Sequence, residues 1–565
     1  MDNQRLFALA GLGLLLFVNY QTWQHDYAPT PVPAATAQVA AATQDANASA
    51  LRESAPSAGT STVTAAPAVT TPTPTPSADP SAATTKGTDI HIHTDVLDLT
   101  VNTAGVEIRG ATLNRYSLSV EQKDAFVDLL RPAGAEGVAV LQWGLAGAGA
   151  ASAADAVYST PETTYTLADG AATLDVPFTW TGTDGLTITR TLHFTRGNYA
   201  ISLEQTVHNA GESAVRARPY AQLVHHWTKV DRSMFNPATY SYQGPAVYNG
   251  KKYQKLSVDK PDPEQLPKSA ITDGWIAALQ HHFVTAIVPD AKVPTEYSMT
   301  VANADYRLTA MNAWQDVAAG ATATFVNHVY IGPKLQDQLN AIAPKLDLTV
   351  DYGTLTVIAK PLFWLLSQVH KLVNNWGLAI ILVTIIIKGI FFPLAQTSGR
   401  SMARMRNIAP RVKALQDRYK DNREELGKQM MELYKREKVN PLSGCLPMLV
   451  QIPVFMGFYW VLLESVEMRQ APFVGWLHDL SVKDPYFVLP ALMCAAMFGQ
   501  FKMNPTPPDP TQAKVFAIMP FFMTAMMAFF PAGLVLYWIT NTGLSIAQQW
   551  HINKVVAEES QKARA

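Results

Sequence analysis

The run Trp376–Leu394, WGLAIILVTIIIKGIFFPL, decides how this chain folds. It has nineteen residues and is almost wholly apolar, long enough to cross the ~30 Å hydrocarbon core of a bilayer as a helix. Lys388 lies inside it. A lysine at that depth costs roughly 2.5–3.5 kcal/mol, so it needs a compensating environment. Thr384 sits one helical turn earlier and projects from the same face. Either this face lines a wet cavity enclosed by protein, or Lys388 snorkels toward the helix end, about 9 Å away at Leu394.

The sequence on both sides extends the membrane pattern. Upstream, Pro361–Trp376 (PLFWLLSQVHKLVNNW) places Leu362, Leu365, Leu366, Val369, Leu372, Val373 and Trp376 on one helical face and polar residues on the other. Proline suits a helix start, and the amphipathic pattern predicts a helix lying in the membrane interface. Downstream, Ala395–Leu442 carries twelve cations against six anions, a net +6. One apolar seam runs Met402, Met405, Ala409, Val412, Leu415, Tyr419, and a second runs Leu426, Met430, Leu433. The spacing predicts two amphipathic helices hinged near Lys420-Asp421-Asn422. The basic excess places this hairpin in the cytoplasm.

Four further apolar spans follow: Leu446–Leu463, Tyr486–Phe501, Val515–Phe530 and Leu534–Trp550. The last two are separated at Pro531-Ala532-Gly533, because one continuous helix there would be about 54 Å long. Several spans are only sixteen to eighteen residues, so local thinning of the membrane is expected. The loop Glu464–Pro485 has net charge −2, whereas lysines and an arginine flank the opposite ends. Asn541, Ser545 and Gln548 recur at i, i+4 and i+7, giving the last span a polar stripe of its own. With Thr384, Lys388 and Gln451 this stripe frames an expected hydrophilic groove, which favours the cavity over snorkelling.

The first half of the chain differs in character. Residues 1–27 hold Arg5, an apolar run, then Tyr20 and Trp23, which predicts an uncleaved signal anchor. Residues 28–86 are rich in Pro, Ala, Thr and Ser and cannot bury enough surface to fold, so a disordered tether is expected. From 87 to about 340, alternating segments such as GLTITRTLHFTRGNYAISLEQTVHN predict a large antiparallel β-sandwich. Its paired histidines (His91 and His93, His225 and His226, His281 and His282) lack a convergent third ligand in the sequence, so no metal site or cofactor is assigned. The two cysteines, Cys445 and Cys494, fall in apolar spans and read as small hydrophobes. A net charge of −1 over 565 residues says little about partners until the charges are mapped along the chain.

The expectation is therefore a polytopic α-helical membrane protein of six transmembrane helices, five forming the core, with a large periplasmic β-sandwich. The segments are an anchor (1–27), a linker (28–86), the sandwich (87–340), a connector with the interfacial helix (341–375) and a second span (376–394). The hairpin (395–442), spans three to six (443–550) and a tail (551–565) follow, both termini being cytoplasmic.

KVNPLSGCLPMLVQIPVFMGFYW, RQAPFVGWLHDLSVKDPYFVLP and FPAGLVLYWITNTGLSIAQQW, in this order behind the basic hairpin, closely resemble the YidC/Oxa/Alb membrane protein insertases. IGPKLQDQLNAIAPKLDLTVDYG and the β-domain resemble the Gram-negative YidC type. The resemblance implies an insertase and chaperone for inner-membrane proteins, acting alone or with the Sec translocon, with no catalytic residue and no cofactor. It implies nascent membrane proteins, the ribosome, membrane lipids and a targeting receptor as partners. Lys388 takes the place of the cation, usually arginine, in the family's groove; it keeps the charge without the planar five-donor fork. The family's substrate slide corresponds to Ile452, Pro453 and Phe455 with Phe521 and Phe522. Arg400, Arg404, Arg406, Arg411 and Lys413 are the expected ribosome or receptor contacts. The rivals are a solute transporter using the intramembrane charge and a membrane-anchored sugar enzyme, to which the sandwich bears a fold-level resemblance. The spans show no repeated halves, and no carboxylate pair stands out.

Overall fold

The computed structural model describes residues 87–134, 137–147, 156–182, 184–233, 236–419, 422–437, 446–503 and 510–562. The expected anchor and linker, the hairpin tip at 420–421 and Cys445 lie outside the described residues.

Two packed sheets form the β-domain. The ten-stranded sheet runs from Thr295–Ala302 through Asp305–Asn312, Val215–His226, Ala139–Ala146, Glu107–Ser117, Leu97–Asn102 and Asp89–His93 to Thr164–Thr166, with Phe126–Leu130 paired to Glu107–Ser117 and Gln315–Val317 to Val215–His226. The eight-stranded sheet runs from Tyr253–Lys255 through Gly244–Tyr248, Trp275–Leu279, Phe283–Pro289, Thr322–Pro333, Ala200–Asn209 and Leu186–Thr195 to Thr173–Thr181. Pairing is antiparallel except where Asp89–His93 meets Thr164–Thr166 in parallel, with Ile92 opposite Tyr165. No hairpin joins those two strands, so nothing imposes the antiparallel direction.

Alternation in the sequence maps directly onto burial in Leu186–Thr195, where Leu186, Ile188, Arg190, Leu192 and Phe194 all point inward. Arg190 is 1% exposed. Its Nε donates to Gln205 Oε1 (2.9 Å) and its Nη1 to the Gly105 carbonyl (2.6 Å), and it lies 4.6 Å from the Tyr158 ring. These partners offset the cost of burying a guanidinium. Trp275–Leu279 and Phe283–Pro289 are buried at every position, because they run through the middle of the sheet with both faces covered.

The helical part begins after the last strand. In chain order the helices are α1 (Gln336–Ile342), α2 (Thr356–Val373), α3 (Trp376–Ile390), α4 (Phe392–Arg418), α5 (Arg423–Arg436), α6 (Leu446–Glu464), α7 (Val488–Met503), α8 (Pro510–Met527) and α9 (Ala532–Lys562). Among the described residues no single helix is long and apolar enough to cross a membrane. One pair, α3 and the first turns of α4, passes that test together, bent by 64°. The expected continuous span 376–394 is thus broken after Ile390. Pro393 opens α4; it offers no N–H and its ring clashes with the preceding turn, so α3 cannot run through it.

Helix α2 starts at Thr356, five residues before Pro361, because the 3₁₀ turn Gly353–Leu355 feeds straight into it. The proline lies inside the helix and not at its start. Ala359, Phe363, Leu366 and Val369 are buried against α3 and α6. Val357 (84% exposed), Trp364 (63%) and Leu372 (82%) form a second apolar stripe that faces outward.

In the hairpin of α4 and α5, Ile408, Val412 and Leu433 form the buried seam with Met405, Leu415, Met430 and Tyr434. Ala409, expected in that seam, is exposed and Ile408 takes its place, because the larger side chain covers more apolar surface one position earlier on the helix.

The sandwich meets the helices at the loop after α6. Ser241 Oγ donates to Glu464 (3.0 Å), and the His281 ring bonds the Leu463 carbonyl (3.0 Å). Lys334 Nζ donates to the His281 carbonyl (2.9 Å). Arg469 donates to the carbonyls of Ser117 (2.7 Å) and Leu118 (2.8 Å), and Gln470 Nε2 also donates to that of Ser117 (2.9 Å). Burial pulls the His281 imidazole down to about 4. The neutral ring keeps one N–H, which Nε2 presents to Leu463.

Candidate functional site, a hydrophilic groove at Lys388

The groove is built by helix ends. Asn374 closes α2 in the left-handed conformation (φ 50°). The Asn375 side chain then caps α3 by accepting from Leu378 N (2.9 Å) and donates to the Phe473 carbonyl (3.2 Å). Gly377 lies so close to Phe473 that a Cβ would sit 2.1 Å from the ring, so α3 starts tight against the loop after α6. The Pro393 break then leaves Lys388 in the last turn of α3, where a cation meets the negative end of the helix dipole.

Lys388 opens into a cavity of about 380 Å³ bounded by α3, α4, α6, α7 and α9. Its Nζ donates to Ser545 Oγ (2.8 Å), and Ser545 in turn donates to the Asn541 carbonyl (2.8 Å). Gln451 Nε2 donates to Tyr537 Oη (2.9 Å). Gln548 also lines the cavity and reaches the Phe392 carbonyl at 3.4 Å. Among the described residues, the lining contains no Asp or Glu. The groove therefore presents a cation and amide and hydroxyl groups without a counter-charge.

The structure brings Lys388, Gln451, Asn541, Ser545 and Gln548 together around this cavity. Thr384 is outside it: 1% exposed, it donates its hydroxyl to the Ile380 carbonyl (2.6 Å) within its own helix. Of the expected slide residues, Ile452 and Phe455 border the cavity, whereas Pro453 lies within α6 away from the lining. Phe521 and Phe522 are 59% and 63% exposed on α8. Phe521 has its ring contact with Phe498 of α7 (6.5 Å), since α8 packs on α7.

Sequence reasoning missed Ser398 and Gly399, in the first turns of α4, and Gln500 on α7. A Cβ on Gly399 would lie 2.6 Å from Ile552, so this glycine lets α4 approach α9 closely. The signal for the α4 contribution was Pro393, which restarts the helix before the charged stretch begins.

On the outlying hairpin, Arg404 and Lys413 are exposed, and Arg411 pairs with Glu437 (2.6 Å). Arg400 lies on α4, and the side chain of Arg406 is outside the described residues.

The chain thus combines a β-sandwich with a multi-helix unit that holds a cation-bearing groove. Residues 368–560 match the family model described as 60Kd inner membrane protein, and residues 89–365 match the YidC periplasmic domain. The chain is 41% identical to the membrane protein insertase YidC of Thioalkalivibrio sulfidiphilus, over 100% of both chains. It is also 41% identical to that of Nitrosococcus oceani, over 99% of this chain and 100% of the relative. A crystal structure of an active YidC insertase with its first transmembrane domain resolved aligns with 81% of this chain and 91% of its own, at 17% identity and a TM-score of 0.36. The chain belongs to the YidC family of membrane protein insertases. Its function is the insertion of membrane proteins.

Proposed function

We propose that insertion proceeds through the Lys388 groove, with six spans, the sandwich in the periplasm and both termini in the cytoplasm. A nascent apolar segment gains by entering lipid, but its polar flank must cross hydrocarbon. A hydrated groove lowers that cost, and the short helices shorten the path: α3, at fifteen residues, rises only about 22 Å. Lys388 attracts acidic residues on the flank, and Ile452, Phe455, Phe521 and Phe522 offer apolar surface to the client segment. Release follows from burial of that segment in lipid and needs no cofactor. Arg400, Arg404, Arg406, Arg411 and Lys413 face the ribosome or a targeting receptor, the outward stripe of α2 rests on membrane lipid, and the protein works alone or beside the Sec translocon.

The observation that carries this reading is a half-buried lysine in a cavity to which amides and hydroxyls contribute and which, among the described residues, has no acidic lining residue. The test is insertion of two matched clients, one with an acidic translocated flank and one neutralised, by Lys388→Arg, Lys388→Ala and Lys388→Glu. Arginine is expected to be tolerated, and glutamate to be worse than alanine for the acidic client only. Equal insertion of both clients by all variants would remove the charge from the mechanism.

A further inference from the structure

A second cavity, of about 540 Å³, lies where the sandwich meets the loop after α6. Asn114, Arg115, Ser117 and Lys123 line it from the sandwich, and Gln470 and His478 from the loop. Its volume falls in the ~300–1,000 Å³ range of small-molecule sites, which favour domain junctions. No acidic side chain lines it among the described residues. Arg115 is shared with Asp95 (2.6 Å), whereas Lys123 has no ion pair among the described residues; its neighbours Glu121 and Asp124 lie outside the lining.

The rim has the opposite character. Phe126 (39% exposed) and Val120 line the cavity, and Leu118 (52%), next to Ser117, and Val474 (62%), four residues from both Gln470 and His478, are exposed on the same two segments. Val474 belongs to the loop joining α6 and α7, which the proposed topology puts at the outer membrane surface, and Tyr486 on the same loop is 69% exposed. A polar, cationic pocket with an apolar rim, set against a loop at the membrane surface, matches an amphiphile with an anionic head. A soluble anion would leave the apolar rim in water.

We propose that this cavity binds the phosphate headgroup of an anionic phospholipid, with Lys123 and Arg115 supplying charge, His478 and Asn114 supplying hydrogen bonds, and the glycerol and upper acyl chain lying along Leu118, Phe126 and Val474. The site tethers the sandwich to the outer face of the bilayer. It depends on the helices being embedded in the membrane and not on the Lys388 mechanism, so it stands or falls separately from the client experiment.

The test uses the full chain in phosphatidylcholine nanodiscs carrying a trace of phosphatidylglycerol with a photoactivatable headgroup, crosslinks being mapped by peptide mass spectrometry. Crosslinks are expected within 114–126 and 470–478. Removing one cation from beside the anionic headgroup should weaken them about fivefold. Lys123→Gln and His478→Gln alter exposed side chains, and Lys123→Glu should abolish the signal while melting stays unchanged. Raised salt should weaken capture. Equal labelling by photoactivatable phosphatidylcholine, or labelling unchanged in Lys123→Glu, would overturn the proposal. Displacement by inorganic phosphate would instead make this a free-anion site, and displacement by a soluble acidic peptide a site for translocated flanks; either result also overturns it.

Discussion

Glu467 is held in the short turn Val466–Met468 with its Oε2 shut away from solvent and no hydrogen-bond donor in reach. Burial raises its carboxyl to about 7, with Asp337 adding repulsion. The folded state therefore favours the neutral acid. That contribution is complete below the ordinary value of 4.5 and is lost as pH rises through about 7. Burial pulls Lys334 down to about 8; it acts in the other direction, and only as pH rises from about 8 toward the unfolded value. Because Glu467 is only partly covered as a residue, the loss between pH 5 and 8 should be about 1–2 kcal/mol and not the full shift. Glu467→Gln is expected to melt higher than the parent at pH 8 and equally at pH 5. Parallel melting curves across that range would show that the carboxyl is not strained. Lys388 is held differently: its position in the last turn of α3 and its bond to Ser545 orient the ammonium into the groove.

At the scale of the element, the breaks between helices matter more than the helices. Asn375 caps α3 and reaches the Phe473 carbonyl, so Asn375→Ala removes one cap and one tether. The expected cost is about 1–2 kcal/mol, read as a lower melting temperature, while Asn375→Asp keeps the cap acceptor and should recover much of it. An unchanged melt in the alanine variant would show that the cap is redundant. These breaks also explain what the sequence revealed and what it concealed. Period-two alternation in Leu186–Thr195 and Ala200–Asn209 exposed the sandwich, because one face of each strand is solvated. Trp275–Leu279 gave no such pattern, because both of its faces are covered. The polar stripe Asn541, Ser545, Gln548 was visible as helical spacing. Thr384 shared a face with Lys388 in the sequence yet turned inward, since a threonine in a helix can satisfy its hydroxyl on the carbonyl four residues back. Ser398 and Gly399 lay in a stretch whose charges pointed to the hairpin, and only the restart at Pro393 assigns them to the groove. The side on which Phe521 packs is a tertiary choice that composition does not encode.

Over the whole molecule, one loop, residues 465–487, touches the sandwich, α3 and the head of α9. Arg469 and Gln470 bind the Ser117–Leu118 backbone, Phe473 meets Gly377, and the Val482 carbonyl accepts from Ala532 N (2.7 Å). Arg469→Ala should destabilise the junction by roughly 0.5–1.5 kcal/mol, because the Leu118 carbonyl loses its donor while that of Ser117 keeps Gln470. Limited proteolysis should then cut within 465–487 faster than in the parent, whereas Leu118→Ala, which leaves the main-chain acceptors in place, should cut at the parental rate. Cleavage of Arg469→Ala at the parental rate would mean that these hydrogen bonds do not hold the loop.

Those docking bonds are mostly one-sided. Arg469, Gln470 and His281 supply side chains, while Ser117, Leu118 and Leu463 answer with main-chain carbonyls. A carbonyl is present whatever residue carries it, so drift at the accepting positions leaves the joint intact. Change is constrained at the few donors only. The sandwich is in this sense an exchangeable cassette: a β-domain grafted from a distant relative should seat correctly if the strand edge keeps its course and the three donors are retained.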